Sequence, residues 1–171
     1  VRDQLMYPCI LKPIHSHLFV ATYGRKNFFV NNYTELCEKF EMCHNDGHPV
    51  VVQEVIPGGD ELLERVQVYI NSKGEVAAEF FNHKVRQNPA IFGVMRVGIS
   101  TGFDREVQDL AHRLLQAVNY RGFASAEFKR DPRDNQLKLI EVNVRMPRSG
   151  WLPIASGVNF PWLIYQDLML D

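Results

Sequence analysis

Apolar and polar positions along this chain follow two periods, and the first third mixes both. Tyr7 to Lys12 is a short apolar run halted by Pro13, which predicts a buried strand. Ile14 to Lys26 mixes histidine, serine and aromatics ahead of Tyr23-Gly24-Arg25-Lys26 and reads as a loop or hairpin. Phe28-Phe29-Val30 adds a short strand. Thr34 is then the expected N-cap of a helix on which Leu36, Phe40 and Cys43 recur at helical spacing, and Asn45-Asp46-Gly47 ends it. Val50 to Ile56 is a nearly continuous apolar strand broken by Pro57-Gly58-Gly59-Asp60. Strands over 62–70 and 76–85 flank Asn71-Ser72-Lys73-Gly74, a hairpin turn.

From Asp104 the period lengthens. Val107, Leu110, Ala111, Leu114, Leu115 and Val118 make one apolar helix face, with Asp104 as its cap. Phe123 to Lys129 and Leu137 to Asn143 return to strand spacing around the turn Asp131-Pro132-Arg133-Asp134-Asn135. The segment 151–170 is apolar and helical in part. Hairpins mixed with isolated helices define an α+β fold rather than a repeating βαβ sheet.

Bulk properties narrow the partners. With 171 residues, 46% of them hydrophobic, the chain can bury a core, and its formal charge of -1 gives no reason to expect nucleic acid. No run is long and apolar enough to span a bilayer, so no membrane is expected. Three cysteines, an odd number, do not make a disulfide framework and fit a reduced, cytoplasmic setting. Cys43, His44 and His48 match no structural zinc spacing. Val1-Arg2-Asp3-Gln4 reads like the interior of a longer polypeptide. Trp151, Trp162 and the apolar tail serve either the core, the expected place, or a homodimer interface.

The chemistry concentrates in Ala126-Glu127-Phe128-Lys129 and Ile140-Glu141-Val142-Asn143-Val144-Arg145. Residues two apart on a strand share a face, so Glu141, Asn143 and Arg145 point one way if the strand persists. Glu127 joins them if the hairpin loop has an odd number of residues. Opposed carboxylates repel, so the stretch is either a solvated hairpin face or a site for a divalent cation with hard oxygen ligands.

That stretch resembles the metal-binding hairpin of ATP-grasp enzymes, where a Glu on one strand is followed on the next by Glu-x-Asn-x-Arg. The resemblance implies an ATP-grasp fold of two α+β subdomains whose antiparallel sheets clamp ATP, with 1–56 the smaller lid and 57–171 the larger metal-binding part. It implies that Glu127, Glu141 and Asn143 ligate magnesium (or manganese in its place) and that Arg145 faces the transferred phosphate. Tyr7-Pro8-Cys9-Ile10-Leu11-Lys12-Pro13 is similar to the strand whose lysine, here Lys12, contacts the phosphates. Gln53, Glu54, Val55 and Ile56 resemble the adenine-binding hinge, with Glu54, Asp60 or Glu61 near the amino group or ribose. His83-Lys84-Val85-Arg86-Gln87-Asn88-Pro89 looks like a segment of carboxylate–amine ligase-like ATP-grasp proteins, near the D-aspartate ligases. It assigns Lys84 to the phosphates and Arg86 to the nucleotide.

Departures from that pattern keep a second reading open. The glycine-rich loop expected after Lys12 is replaced by Ile14-His15-Ser16-His17-Leu18-Phe19, with Lys26 available to supply charge. Met95-Arg96-Val97-Gly98-Ile99-Ser100 stands where relatives carry small residues and an acid. The resemblance also implies an N-terminal α/β domain, expected upstream of Val1 in the longer polypeptide. The implied activity is magnesium-ATP-dependent ligation of a small carboxylate to an amine, or to another nucleophile, through an acyl phosphate. The alternative is a nucleotide-binding module without ligase activity.

Overall fold

The computed structural model describes residues 5–88 and 93–170. The chain forms two compact units, Val1–Val55 and Ile56–Asp171. The first holds three antiparallel strands in the order β2-β1-β3: β1 (Cys9–Pro13), β2 (Phe28–Val30) and β3 (Val50–Glu54). Cys9, Leu11 and Val30 meet Phe19, Leu36 and Cys43 of helices α1 (Ser16–Tyr23) and α2 (Tyr33–Asn45) in one core. Ile10, Lys12, Phe29, Val51 and Gln53 take the other face of the sheet.

Two expectations change here. The stretch 14–26 is largely helix α1 rather than a loop or hairpin. Gly24, at φ 66, closes it by donating its N–H to Val20. One buried residue, Phe19, pins this helix by edge contacts to Tyr23 and Phe28, so no apolar stripe announces it. The cap of α2 is Asn32, not Thr34: its side chain accepts from Glu35 N at 3.0 Å. Leu36 and Cys43 are buried there, whereas Phe40 is 47% exposed and stacks on His44.

The second unit is a five-stranded antiparallel sheet in the order β6-β5-β4-β7-β8. Its strands are β4 (Leu63–Ile70), β5 (Val76–Asn88), β6 (Val94–Ser100), β7 (Gly122–Arg130) and β8 (Leu137–Asn143). Helix α3 (Arg105–Ala117) starts at Asp104, whose carboxylate accepts from Glu106 N and Val107 N. It packs Val107, Ala111 and Leu115 onto Val66, Val68, Phe81, Ala124 and Ala126. Val118 lies outside that face, beyond the helix end and exposed.

On the opposite face, Tyr69, Phe80 and Phe123 receive Phe160 of α5 (Phe160–Met169), which follows α4 (Trp151–Ala155). Asp167 accepts hydrogen bonds from Tyr69 Oη and from the backbone and hydroxyl of Ser72, fixing α5 to the β4–β5 turn. The tryptophans are not core residues: Trp151 is 78% exposed, and Trp162 is 50% exposed and stacked on Tyr165. The edge strand β6 was not legible in the sequence, because Val97 and Ile99 are left half exposed. No helix among the described residues is long and apolar enough to cross a membrane.

Candidate functional site

Strand alternation sends the apolar residues of β4, β5 and β7 toward α3 and leaves a polar belt on the reverse face. One row across four strands reads Asn82, Arg65, Glu127, Glu141. The next reads Phe80, Gln67, Ser125, Asn143. Asn82, Arg65, Gln67, Ser125 and Glu127 are all buried, which is rare for such side chains unless they are paired or bind something.

Glu127 faces Glu141 by a route the sequence did not suggest. Arg130 pairs with Leu137, so the turn between them holds six residues, 131–136, an even number. A regular ladder from there would set Ile140 opposite Glu127. The register shifts between Glu127 and Phe128, so Ile140 is the extra residue of a β-bulge and Glu141 becomes the partner of Glu127. Asn143 Nδ2 donates to Glu141 Oε1 at 2.8 Å, which turns the amide oxygen away from that carboxylate.

The repulsion between the two carboxylates is offset from both sides. Lys84 Nζ forms a buried ion pair with Glu127 Oε2. Arg65, on the strand beside Glu127, is 6% exposed and donates from Nη2 to Ser149 Oγ at 3.1 Å. Burial pulls the Arg65 guanidinium below its ordinary pKa, while the Glu127 and Glu141 charges act the other way. Lys129, also buried, donates to the carbonyls of Ile56 and Gly58 at 2.9 and 2.7 Å and so fastens the segment after β3. Its pKa too is lowered by burial, against the pull of Asp60, Glu61 and Asp131.

The remaining expected residues fall in both units. Lys12 and Gln53 share the face of the three-stranded sheet away from its helices, and Glu54 lies on the other face. Lys26 is exposed between α1 and β2. Val55 already donates its N–H to Pro8, whereas the Ile56 carbonyl accepts from Lys129 and keeps its second lone pair for another donor. Asp60 Oδ1 accepts from Gln87 at 2.6 Å, and Glu61 accepts from Gly59 N.

Lys84 and Arg86 do not share a face. The ladder is irregular between Lys84 and Gln87, which buries Lys84 and Gln87 and exposes Arg86. Strand β8 ends at Asn143, so Arg145 stands exposed beyond it rather than in line with Glu141. Gln87, by contrast, belongs to the buried set. Arg65, Gln67, Asn82, Ser125 and Lys129 were not singled out from the sequence. The signal for two of them was present, since Arg65 and Gln67 alternate with Val66, Val68 and Ile70 in a strand otherwise built for burial.

The chain matches the ATP-grasp domain family over residues 1–158 and belongs to that family. It is 28% identical over 174 residues to the D-aspartate ligase of Enterococcus faecium, covering 96% of this chain and 41% of that protein. An L-amino acid ligase from Bacillus licheniformis has the same fold, with a TM-score of 0.65 at 20% identity over 97% of this chain and 40% of its own. So does the biotin carboxylase domain of the Hydrogenobacter thermophilus 2-oxoglutarate carboxylase, determined with magnesium ADP and bicarbonate. Its TM-score is 0.63 at 20% identity, over 95% of this chain and 37% of its own. The chain thus spans about two fifths of the length of these relatives.

Proposed function

We propose that this chain is the nucleotide- and metal-binding part of an ATP-dependent ligase that joins a small carboxylate to an amine. The observation that supports it most is Glu127 facing Glu141 across neighbouring strands, with Asn143 bonded to Glu141, in an ATP-grasp fold. The donor set fits magnesium. Among the described residues no group of three His, Cys, Asp or Glu side chains could hold a metal. Two carboxylates and an amide oxygen suit a cation that takes one or two carboxylates and completes its shell with phosphate and water. When bound, magnesium would offset charge on the β- and γ-phosphates during transfer.

The protein's own groups bind and orient. Glu127, Glu141 and Asn143 would hold the cation. Lys84, now on Glu127, can swing to a phosphate oxygen once that carboxylate has another partner. Lys12, with Lys26 nearby in sequence, meets phosphates, and the backbone of 53–56 meets adenine, with Glu54, Asp60 or Glu61 toward the amino group or ribose. Arg145 binds the transferred phosphoryl group. A carboxylate oxygen attacks the γ-phosphorus in line and ADP leaves. The amine nitrogen then attacks the acyl carbon, loses a proton and expels phosphate. The D-aspartate and L-amino acid ligases support an amino acid as one reactant.

Calorimetric titration of ATP into the full polypeptide, with and without magnesium, beside Glu141→Ala tests the reading. We expect magnesium-dependent binding in the wild type, weakened at least about a hundredfold in the variant. Equal binding by both would remove the metal assignment. Wild-type binding without hydroxylamine-trappable acyl phosphate, across a panel of amino acids, would favour the module without ligase activity. Helix α1, standing where a glycine-rich loop was expected, is the feature that supports that second reading.

A further inference from the structure

Two polar atoms on the reverse face of β4 are buried and have no hydrogen-bond partner among the described residues: Arg65 Nε, a donor, and Gln67 Oε1, an acceptor. The side chains are 6% and 1% exposed. A buried polar atom left unpaired in a folded protein calls for an explanation, and a bound ligand is one. Each side chain makes one other hydrogen bond, and a ligand reaches the two unpaired atoms, which have almost no accessible surface, only when the groups covering them move aside. Arg65 Nη2 donates to Ser149 Oγ at 3.1 Å, and Gln67 Nε2 donates to Asn82 Oδ1 at 3.3 Å, which commits the amide nitrogen and sets Oε1 as the unpaired end.

The two residues are neighbours on one face of one strand, in rows about 7 Å apart. Arg65 pairs across the ladder with Glu127, and Gln67 with Ser125, itself buried. A ligand satisfying both atoms must accept from a guanidinium and donate to an amide oxygen. A carboxylate and an amino group on one carbon do this, with a hydrogen bond of about 2.9 Å at each end to bridge the rows. The guanidinium favours a carboxylate over a neutral acceptor, because a charge-assisted hydrogen bond is about twice as strong.

We propose that Arg65 and Gln67 form a subsite for a free α-amino acid, Arg65 Nε–H donating to its carboxylate and Gln67 Oε1 accepting from its ammonium group. This deepens the ligase reading and rests on it for the statement that the amino acid is a reactant. Binding of the amino acid itself does not depend on ATP. Ser149 ties the subsite to the loop that follows Arg145, within one row of the Glu127–Glu141 pair.

The test uses the full polypeptide without nucleotide, titrated calorimetrically with α-amino acids of both hands. The best binder is then compared with its deamino acid and its α-amide. Magnesium-ATP is titrated separately into the same preparations. We expect loss of either group to weaken binding about tenfold or more. Gln67→Met should bind the deamino acid as well as the amino acid, and Arg65→Met should no longer distinguish acid from amide. Since Arg65→Met also uncovers Glu127 and Glu141, the near-isosteric Gln67→Met decides the matter if the other variant misfolds. Unchanged discrimination in Gln67→Met overturns the proposal. So does the absence of amino-acid binding by protein that binds magnesium-ATP, which would leave water as the partner of both atoms. Discriminating amino-acid binding without magnesium-ATP binding would uphold the subsite and sink the ligase reading.

Discussion

Asp131 holds the β7–β8 turn through both its side chain and its backbone. Its carboxylate accepts from Arg133 N at 3.0 Å and Nε at 2.8 Å and pairs with Nη2, while its own N–H and C=O bond Gln136 and Asn135. The hydrogen bonds from the Arg133 side chain come first among the causes that lower its pKa to about 2. The folded value lies below the unfolded value near ~3.9, so its contribution to stability is complete above that pH and lost as pH falls through about 2. Asp131→Asn should therefore melt below the wild type at neutral pH, with the gap closing between pH ~4 and ~2. Thermal denaturation across that range checks it, and a gap independent of pH would show that the carboxylate's charge is not what holds the turn. Residue identity was the most legible level in the sequence: carboxylates on successive strands and an amide two residues on announce themselves by type. Arg65 did not, because a lone arginine in a strand reads as surface until its neighbours are seen to be buried.

At the level of elements, the bulge decides whether those identities meet. Leu137 packs toward the α3 side, and so does Val142, an odd interval. A regular strand puts residues an odd number apart on opposite faces, so the apolar pattern itself switches parity near Ile140. That switch is the sequence trace of the bulge, readable once the turn length is known. Deleting Ile140 should make the ladder regular and leave Glu127 opposite Glu141, so folding and magnesium-dependent nucleotide binding should persist. Deleting Val142 should instead carry Asn143 into the place facing Ala126, burying an amide in the apolar layer and abolishing that binding. Melting curves and ATP titrations of the two deletions decide it; equal loss in both would mean that the bulged residue itself is needed. Similar local irregularity hid the fate of Arg86, since strict alternation cannot anticipate a ladder that slips between Lys84 and Gln87. Helix α1 was illegible for another reason, one buried side chain in eight residues leaving no period to find.

Over the whole molecule, the apolar residues divide into clusters that respect the two units. Cys9, Leu11, Phe19, Phe28, Val30, Leu36 and Cys43 form one, and the clusters around Val66 and Phe160 lie after Ile56. Leu11 is fully buried, and truncation to alanine should cost about 2–5 kcal/mol. With separate cores that loss should be local: Leu11→Ala should speed amide exchange in β1 and β3 and leave β4 and β7 protected. Native-state hydrogen exchange is the measurement, and equal acceleration in β4 would mean that the units unfold as one.

The belt on the reverse face has one further property. Arg65 and Lys84 stand against Glu127 and Glu141, two formal positive charges beside two negative ones, in a chain whose own formal charge is -1. Between them these four side chains add no net formal charge, so they themselves neither steer in nor turn away a polyanion at a distance, and discrimination by them begins only on contact.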